Sequence, residues 1–143
     1  GLTMDDSGIP VDVEKRIEIT AKIVGLLEGV GVLRENIFID PLVQPISVDG
    51  KNGMMFLESI TRIKKEFPGV KTTCGLSNVS FGLPKRKLLN KYFLAISIGF
   101  GLDSAIIDPV DEGMREVICV SETLTGKDEY CMNYINRCRQ EKD

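Results

Sequence analysis

Residues 70 to 99 read VKTTCGLSNVSFGLPKRKLLNKYFLAISIG. The first five, Val70-Lys71-Thr72-Thr73-Cys74, are rich in β-branched side chains and read as a short strand. Gly75 ends it. A loop of small polar residues follows, with Ser77, Asn78 and Ser80, and from Lys85 the apolar positions return at helical spacing. Together these make one β/α unit. A turn explains the glycine, and a turn asparagine explains Asn78 as well. Neither explains why the neighbouring units also end their strands in side chains that can contact a ligand.

The unit recurs on both sides. Asn36-Ile37-Phe38-Ile39-Asp40 reads as a strand ending at Pro41, and Ser104-Ala105-Ile106-Ile107-Asp108 as another ending at Pro109. Leu2-Thr3-Met4 reads as the tail of a fourth strand, running into the turn Asp5-Asp6-Ser7-Gly8. The spacing predicts helices over 12–30, 53–67, 85–99 and 111–125, with a last one from about 127 to 140. Asp12 and Asp111 suit N-caps, and Gly29 and Gly31 stop the first helix. Phe56, Ile60, Ile63 and Phe67 share one face. Met54 and Met55 are expected in the core, and the 85–99 helix is expected to bury Leu88, Leu89, Tyr92, Phe93 and Ile96. The charge-rich end RCRQEKD reads as a solvated tail.

Strand–helix alternation predicts right-handed βαβ crossovers and a parallel sheet, an α/β fold. Two architectures compete: an open doubly wound sheet, or part of a (β/α)8 barrel. No GxGxxG follows the first strand and no GxxxxGK[ST] occurs, which removes dinucleotide and P-loop chemistry. In either architecture ligands sit at the carboxyl ends of the strands. The side chains to inspect there are Asp5, Asp6, Asp40, Gln44, Ser77, Asn78, Ser80, Asp108 and Asp111.

The chain has 143 residues, one domain's worth spanning 1–143, with a net charge of −3. Lys85-Arg86-Lys87 is too short a basic run for a nucleic-acid surface, so no nucleic-acid partner is expected. No apolar run reaches the roughly 20 residues of a membrane span. The start GLTMDDSGIP lacks the features of a signal peptide and begins without Met, so the chain is expected to be one part of a larger unit. Four cysteines without a CxxC, and no histidine, argue against a metal site. They fit reduced thiols and a cytoplasmic location. Cys131 and Cys138, seven apart, read as two packed thiols.

Three residues carry the chemistry. Asp40 at an apolar rim can accept paired N–H bonds from a planar amino-heterocycle, or else cap the turn before Pro41. Asn78 offers donors and an acceptor, so it can follow a ligand atom whose protonation changes. Asp108 repeats the placement of Asp40, and two such carboxylates can divide acid and base roles as in glycosidases, though the chain has no Trp for a sugar platform.

The stretch CGLSNVSFGLPKR, continued by LLNKYFLAISIGFGLDSAIIDPVD, closely resembles pterin-binding methyltransferases that pass a methyl group from methyltetrahydrofolate to a corrinoid protein. LTMDDSGIP, IFIDPLVQPIS and DEYCMNYI resemble the same family, so the likeness runs over nearly the whole chain. The resemblance implies a TIM-type (β/α)8 barrel, of which this chain covers about the last four β/α units, a half barrel. It implies that Asp40 holds the aminopyrimidine edge of the pterin and that Gly75 and Ser77 line the same pocket. Asn78, the catalytic residue, would bond near N5, and Asp108 would form part of the wall. Methyltetrahydrofolate would be the donor. The cobalamin or other corrinoid would ride on a partner protein, since no DxHxxG-like motif occurs here. A half barrel leaves open edges, which implies a homodimer or pairing with the first half of the barrel. The nearest other readings are a dihydropteroate synthase relative and a non-catalytic pterin-binding half barrel.

Overall fold

The computed structural model describes residues 1–140, so the last three residues of the charged tail lie outside the described residues. Helix α1 spans Val13–Gly29, and Asp12 caps it by accepting the Lys15 N–H at 2.7 Å. It ends where Gly31 takes a φ of +85°, a left-handed conformation that side chains disfavour. Helix α2 spans Asn52–Glu66, α3 Arg86–Gly99 and α4 Glu112–Leu124. Asp111 caps α4 through the Met114 N–H at 3.3 Å. Helix α5, Met132–Gln140, follows a 3₁₀ turn at Glu129–Cys131 in which Tyr130 has a φ of +55°. The chain is reset there by Asp128, whose carboxylate accepts the Asn133 and Tyr134 N–H groups at 3.0 and 3.1 Å. Among the described residues no helix is long and apolar enough to cross a membrane.

The strands are shorter than the sequence suggests. Strand β1 is Phe38–Ile39 and β2 is Lys71–Thr72, paired in parallel as Phe38 with Lys71 and Ile39 with Thr72. Asn36 belongs instead to a 3₁₀ turn at Arg34–Asn36. Leu2 makes a single parallel bridge to Asp40, and Gly75 one to Ile106. Segment 104–108 therefore forms no regular strand. Its ladder consists of the Ser104 N–H on the Thr72 carbonyl at 3.1 Å and the Ile106 N–H on the Cys74 carbonyl at 2.8 Å. A ladder grows only where two extended segments stay in register, and Asp108 turns away too soon. Even so, four extended segments lie side by side, parallel and in chain order.

The sheet's two faces differ. Ile37, Ile39, Val70, Thr72 and Cys74 are buried on the helix side. Alternation puts Leu2, Phe38, Lys71 and Ile106 on the other face, where the three apolar side chains stay exposed. The Lys71 ammonium lies 5.3 Å from the Phe38 ring centroid on that face.

Two apolar clusters fill the helix side. Ile17 and Val24 of α1 meet Ile37, Ile39, Ile63 and Val70. Phe56, Ile60, Leu76, Leu94, Ile98 and Met114 form the second, in which the Phe56 and Phe93 rings stand 5.6 Å apart. At the amino ends of the strands Asp103 acts as a clasp. Its carboxylate accepts from the Thr72 N–H at 2.7 Å, the Thr72 hydroxyl at 3.1 Å and Lys64 Nζ at 2.8 Å.

Three side-chain expectations are corrected. Leu88, Tyr92 and Ile96 are exposed, because α3 turns Phe93, Leu94, Ser97 and Ile98 inward instead. Met54 is also exposed. Cys131 is exposed and sits in the 3₁₀ turn, so it does not pack against Cys138. Arg137 to Gln140 belong to α5, in keeping with the helix expected to 140, and Arg137 pairs with Glu112 at 3.3 Å.

Candidate functional site

The carboxyl ends of the parallel segments gather the polar residues. Asp40 leaves β1 into Pro41, and its Oδ1 accepts the Leu42 N–H at 2.8 Å. This is the turn-capping arrangement, so one carboxylate oxygen is engaged locally. Leu42 has a φ of +65°. A leucine held there costs about 1–2 kcal/mol, and such strain concentrates at ligand sites. Asp40 is half-buried, and burial pushes its carboxyl above the usual carboxylate value; the Leu42 and Gly75 backbone N–H groups, the N-terminal ammonium and the Arg16 guanidinium pull the other way.

Arg16 is a site-supporting residue that sequence reasoning missed. It lies on α1, fully buried, donating through Nε and Nη2 to the Pro10 carbonyl at 3.4 and 3.3 Å. Its Nη1 is buried without a hydrogen-bond partner. Burial lowers its pKa, while Asp12 and Asp40 favour the charge. The signal available in sequence was a charged residue beside the apolar stripe of α1, next to Ile17.

The 75–80 loop is a 3₁₀ turn over Leu76–Ser80, with Gly75 at its head. Gly75 stands between the two main candidates: its N–H lies by the Asp40 carboxyl, and a Cβ on it would stand 3.4 Å from Asn78 Nδ2. Asn78 is exposed, and its backbone carbonyl accepts the Phe81 N–H at 3.1 Å. Ser77 is exposed too, and its carbonyl receives the Ser80 hydroxyl at 3.2 Å and Arg86 Nη2 at 2.8 Å. Arg86 Nε also donates to the Ser80 hydroxyl at 3.1 Å. The basic start of α3 thus reaches back and fixes the turn, a role hidden in what looked like a simple charge run.

The turn divides the rim into two hollows. Asn78 lines one of about 450 Å³, with Gln44, Val43, Asn52 and Phe81 among its walls. Ser77 and Asp108 line another of about 330 Å³, with Lys87, Asn90 and Asp111. Asp108 is exposed, and its Oδ1 accepts the Val110 N–H at 3.1 Å, the same turn that Asp40 makes. The structure therefore sets Asp40 and Asn78 on either side of Gly75, with Asp40 lining neither of these two hollows, and sets Ser77 with Asp108 in the second. Asp5 is occupied locally by the Ser7 hydroxyl and N–H, which lower its pKa. Asp111 is tied to Lys87 at 3.5 Å.

Parallel β/α units whose carboxyl-end loops present an acid, an amide and a close-approach glycine define an α/β protein with its candidate site at the rim. Comparison with known proteins is more specific. Residues 3–108 match the family described as "Pterin binding enzyme". The chain is 38% identical over 141 residues to a methylcorrinoid:tetrahydrofolate methyltransferase of Eubacterium limosum, an alignment covering 99% of this chain and 52% of that protein. It is also 38% identical over 113 residues to the methionine synthases of Mycobacterium leprae and Mycobacterium tuberculosis, covering 74% of this chain and 9% and 10% of theirs. The chain belongs to the pterin-binding enzyme family. It spans about half the length of the methyltransferase and about a tenth of the methionine synthases.

Proposed function

We propose that this chain works in methyl transfer between N5 of methyltetrahydrofolate and the cobalt of a corrinoid carried by a separate protein. The observation that carries the reading is the convergence of Asp40 and Asn78 on Gly75, on neighbouring parallel segments of a pterin-family chain. Asp40 recognises the pterin's amino group and adjacent ring N–H, using the carboxylate oxygen that the Leu42 amide leaves open. Gly75, lacking Cβ, lets the flat ring approach the backbone. Ser77 and Asp108 form the farther wall, and residues 1–143 act as one pterin-binding unit.

Asn78 serves the reacting nitrogen. A tertiary amine is a poor leaving group, so N5 must gain a proton before the methyl departs. The Asn78 carbonyl accepts from protonated N5 and holds that charge in place. The methyl carbon then passes to cobalt(I), the carbon–N5 bond breaks, and N5 keeps the bonding pair. The Eubacterium relative's name runs the transfer from methylcorrinoid to tetrahydrofolate. Asn78 fits that direction as well: its carbonyl accepts the N5–H of tetrahydrofolate and leaves the N5 lone pair free to attack the methyl carbon, after which N5 loses that proton. No imidazole is required.

The chain supplies about four consecutive units of a (β/α)8 barrel. What supports this is the family, the half-length match, and four parallel segments with helices on one side and bare apolar side chains on the other. A second copy, or a chain carrying the remaining units, covers that bare face. Four cysteines with no disulfide among them support a cytoplasmic setting.

Isothermal titration with methyltetrahydrofolate tests the reading. The chain alone is expected to bind weakly, and to bind in the micromolar range once mixed with a polypeptide carrying the complementary β/α units. Low-micromolar binding by the chain alone would overturn the half-barrel part. Failure of the completed assembly to bind would overturn the pterin site itself. Binding without any methyl transfer to a corrinoid protein would leave a pterin-binding module rather than an enzyme.

A further inference from the structure

The hollow of about 330 Å³ on the far side of the 75–80 turn holds groups that the pterin reading leaves unused. Lys87, Asn90 and Lys91 stand at i, i+3 and i+4 on α3, so they share one face of that helix. Lys87 lines the hollow, its side chain 88% exposed and its Nζ 3.5 Å from Asp111. So exposed a pair is worth little, and a ligand carboxylate can replace it. Asn90 lines the hollow too, and its Oδ1 is buried without a hydrogen-bond partner. An acceptor left so costs about 1–3 kcal/mol. Lys91 is half-buried, its Nζ lying over Gly113 in the first turn of α4, in space that a Cβ there would fill. A glycine inside a helix costs about 1 kcal/mol relative to alanine, and an ammonium at a helix N-terminus opposes the dipole. Among the described residues Lys91 has no ion-pair partner to offset this. A spare acceptor and a spare cation therefore sit together, with a second cation at the mouth.

Acids in the same walls limit what fits. Asp108 and Asp111 face the hollow, each with one oxygen on a backbone N–H, of Val110 and Met114 respectively. Repulsion from them disfavours a bare anion such as phosphate. A ligand with carboxylates for the lysines and N–H groups for Asn90 Oδ1 satisfies both signs. A chain of amides with a carboxylate at each step has that composition. Ser77, another wall, is joined directly to Asn78, and Cα atoms across a trans peptide are about 3.8 Å apart. The arm of a folate starts on the ring carbon beside N5 and ends in glutamate. A pterin with N5 at Asn78 thus brings its arm across the turn to this hollow.

We propose that the Lys87–Asn90–Lys91 hollow binds the glutamyl tail of the folate, a γ-glutamyl amide donating to Asn90 Oδ1 and the tail carboxylates pairing with Lys87 and Lys91. The choice of ligand rests on the pterin reading of Asn78. It extends that reading to a substrate class, folates that carry several γ-linked glutamates.

NMR titration of the isotope-labelled chain tests it, because weak binding is read directly. Methyltetrahydrofolate with three γ-linked glutamates is expected to bind about 10-fold more tightly than the form with one, the scale of a charged hydrogen bond near the surface. Lys87→Ala, Lys91→Ala and Asn90→Leu should each cut that advantage to about threefold or less, with monoglutamate affinity within about twofold of the parent. Gly113→Ala fills the space under Lys91, so its melting temperature should hold or rise while the advantage still falls. Free tri-γ-glutamate should shift the Lys87, Asn90 and Lys91 amide signals with no pterin present. Equal binding of the two folates by the parent, or an advantage that survives the three α3 variants, would overturn the proposal. Equal shifts with α-linked triglutamate would assign the hollow to an acidic peptide and overturn it too. Shifts with free tri-γ-glutamate but with neither folate would uphold the subsite and fault the pterin site instead. Silence at these residues with every ligand would overturn both.

Discussion

Asp40 and Asp108 begin from the same tripeptide, Ile-Asp-Pro, and make the same turn, each carboxylate accepting the N–H two residues on. Their surroundings differ. Asp40 has an extended neighbour on both flanks, since Leu2 bridges to Asp40 itself and β2 lies on the other side. Arg16 is buried close enough to bear on its charge. Asp108 follows a segment paired on one flank only and stands exposed. Identical local sequence thus yields one half-buried, electrostatically strained acid and one solvated cap. The chemistry of a strand-end carboxylate is set by its neighbours, not by its own tripeptide.

The largest expected effect lies on Asp40's side of the rim, at Asn78. In a complete barrel Asn78→Ala should lower kcat for methyl transfer about 10²–10³-fold with little change in KM, the scale of losing one transition-state contact. A rise in KM alone would reduce Asn78 to a binding residue. Next comes the direct contrast. Asp40→Asn should weaken methyltetrahydrofolate binding about 10–100-fold, as expected for a charged hydrogen bond, and Asp108→Asn should change it by about twofold or less. Equal losses in titration would erase the distinction between the two acids.

Stability gives a smaller contrast. The raised folded pKa of Asp40 means that its stabilising contribution is complete below its ordinary 3.8 and is lost as pH climbs through the raised value. Asp40→Asn keeps the turn acceptor and removes that loss, so its Tm near pH 7 should match or exceed the parent's by a degree or two, after solvent screening. Melting curves from pH 3.5 to 7 would reveal it. The smallest effect concerns Cys74, beside the same acid. Burial first, and the Asp40 charge second, push its thiol up to about 12. At pH 8 iodoacetamide should label exposed Cys131 and spare Cys74 in the parent and in Asp40→Asn alike. Ready labelling of Cys74 in mass spectra would mean the rim opens more than its packing implies.

The helices were legible in the sequence because their signals are local. Asp12 and Asp111 cap where expected, and the 3.6-residue pattern of α2 marks Phe56, Ile60 and Ile63 correctly. The strands were legible in position but not in length, because ladder formation depends on partners about 30 residues away. Periodicity also failed on α3: with apolar residues all round, it could not say which side faced the sheet. Asp40 and Asn78 could be placed at the rim because strand-end loops are where such folds put ligands, while Gly75 came from the family resemblance. Their division from Ser77 and Asp108 was not legible, since it depends on which way a five-residue turn points each side chain. Arg16 and Arg86 escaped because a charged residue on a helix is ordinarily read as solvated.

The Asp103 clasp lies at the end of the sheet remote from every rim candidate. One carboxylate there joins the fourth segment to β2 and to α2 through Lys64. Persistence of the structure and choice of ligand are therefore handled at opposite poles of the molecule. Diversity introduced between residues 75 and 80 can alter what is bound while the anchor stays intact, whereas a change at Asp103 removes the foundation on which any such variety rests.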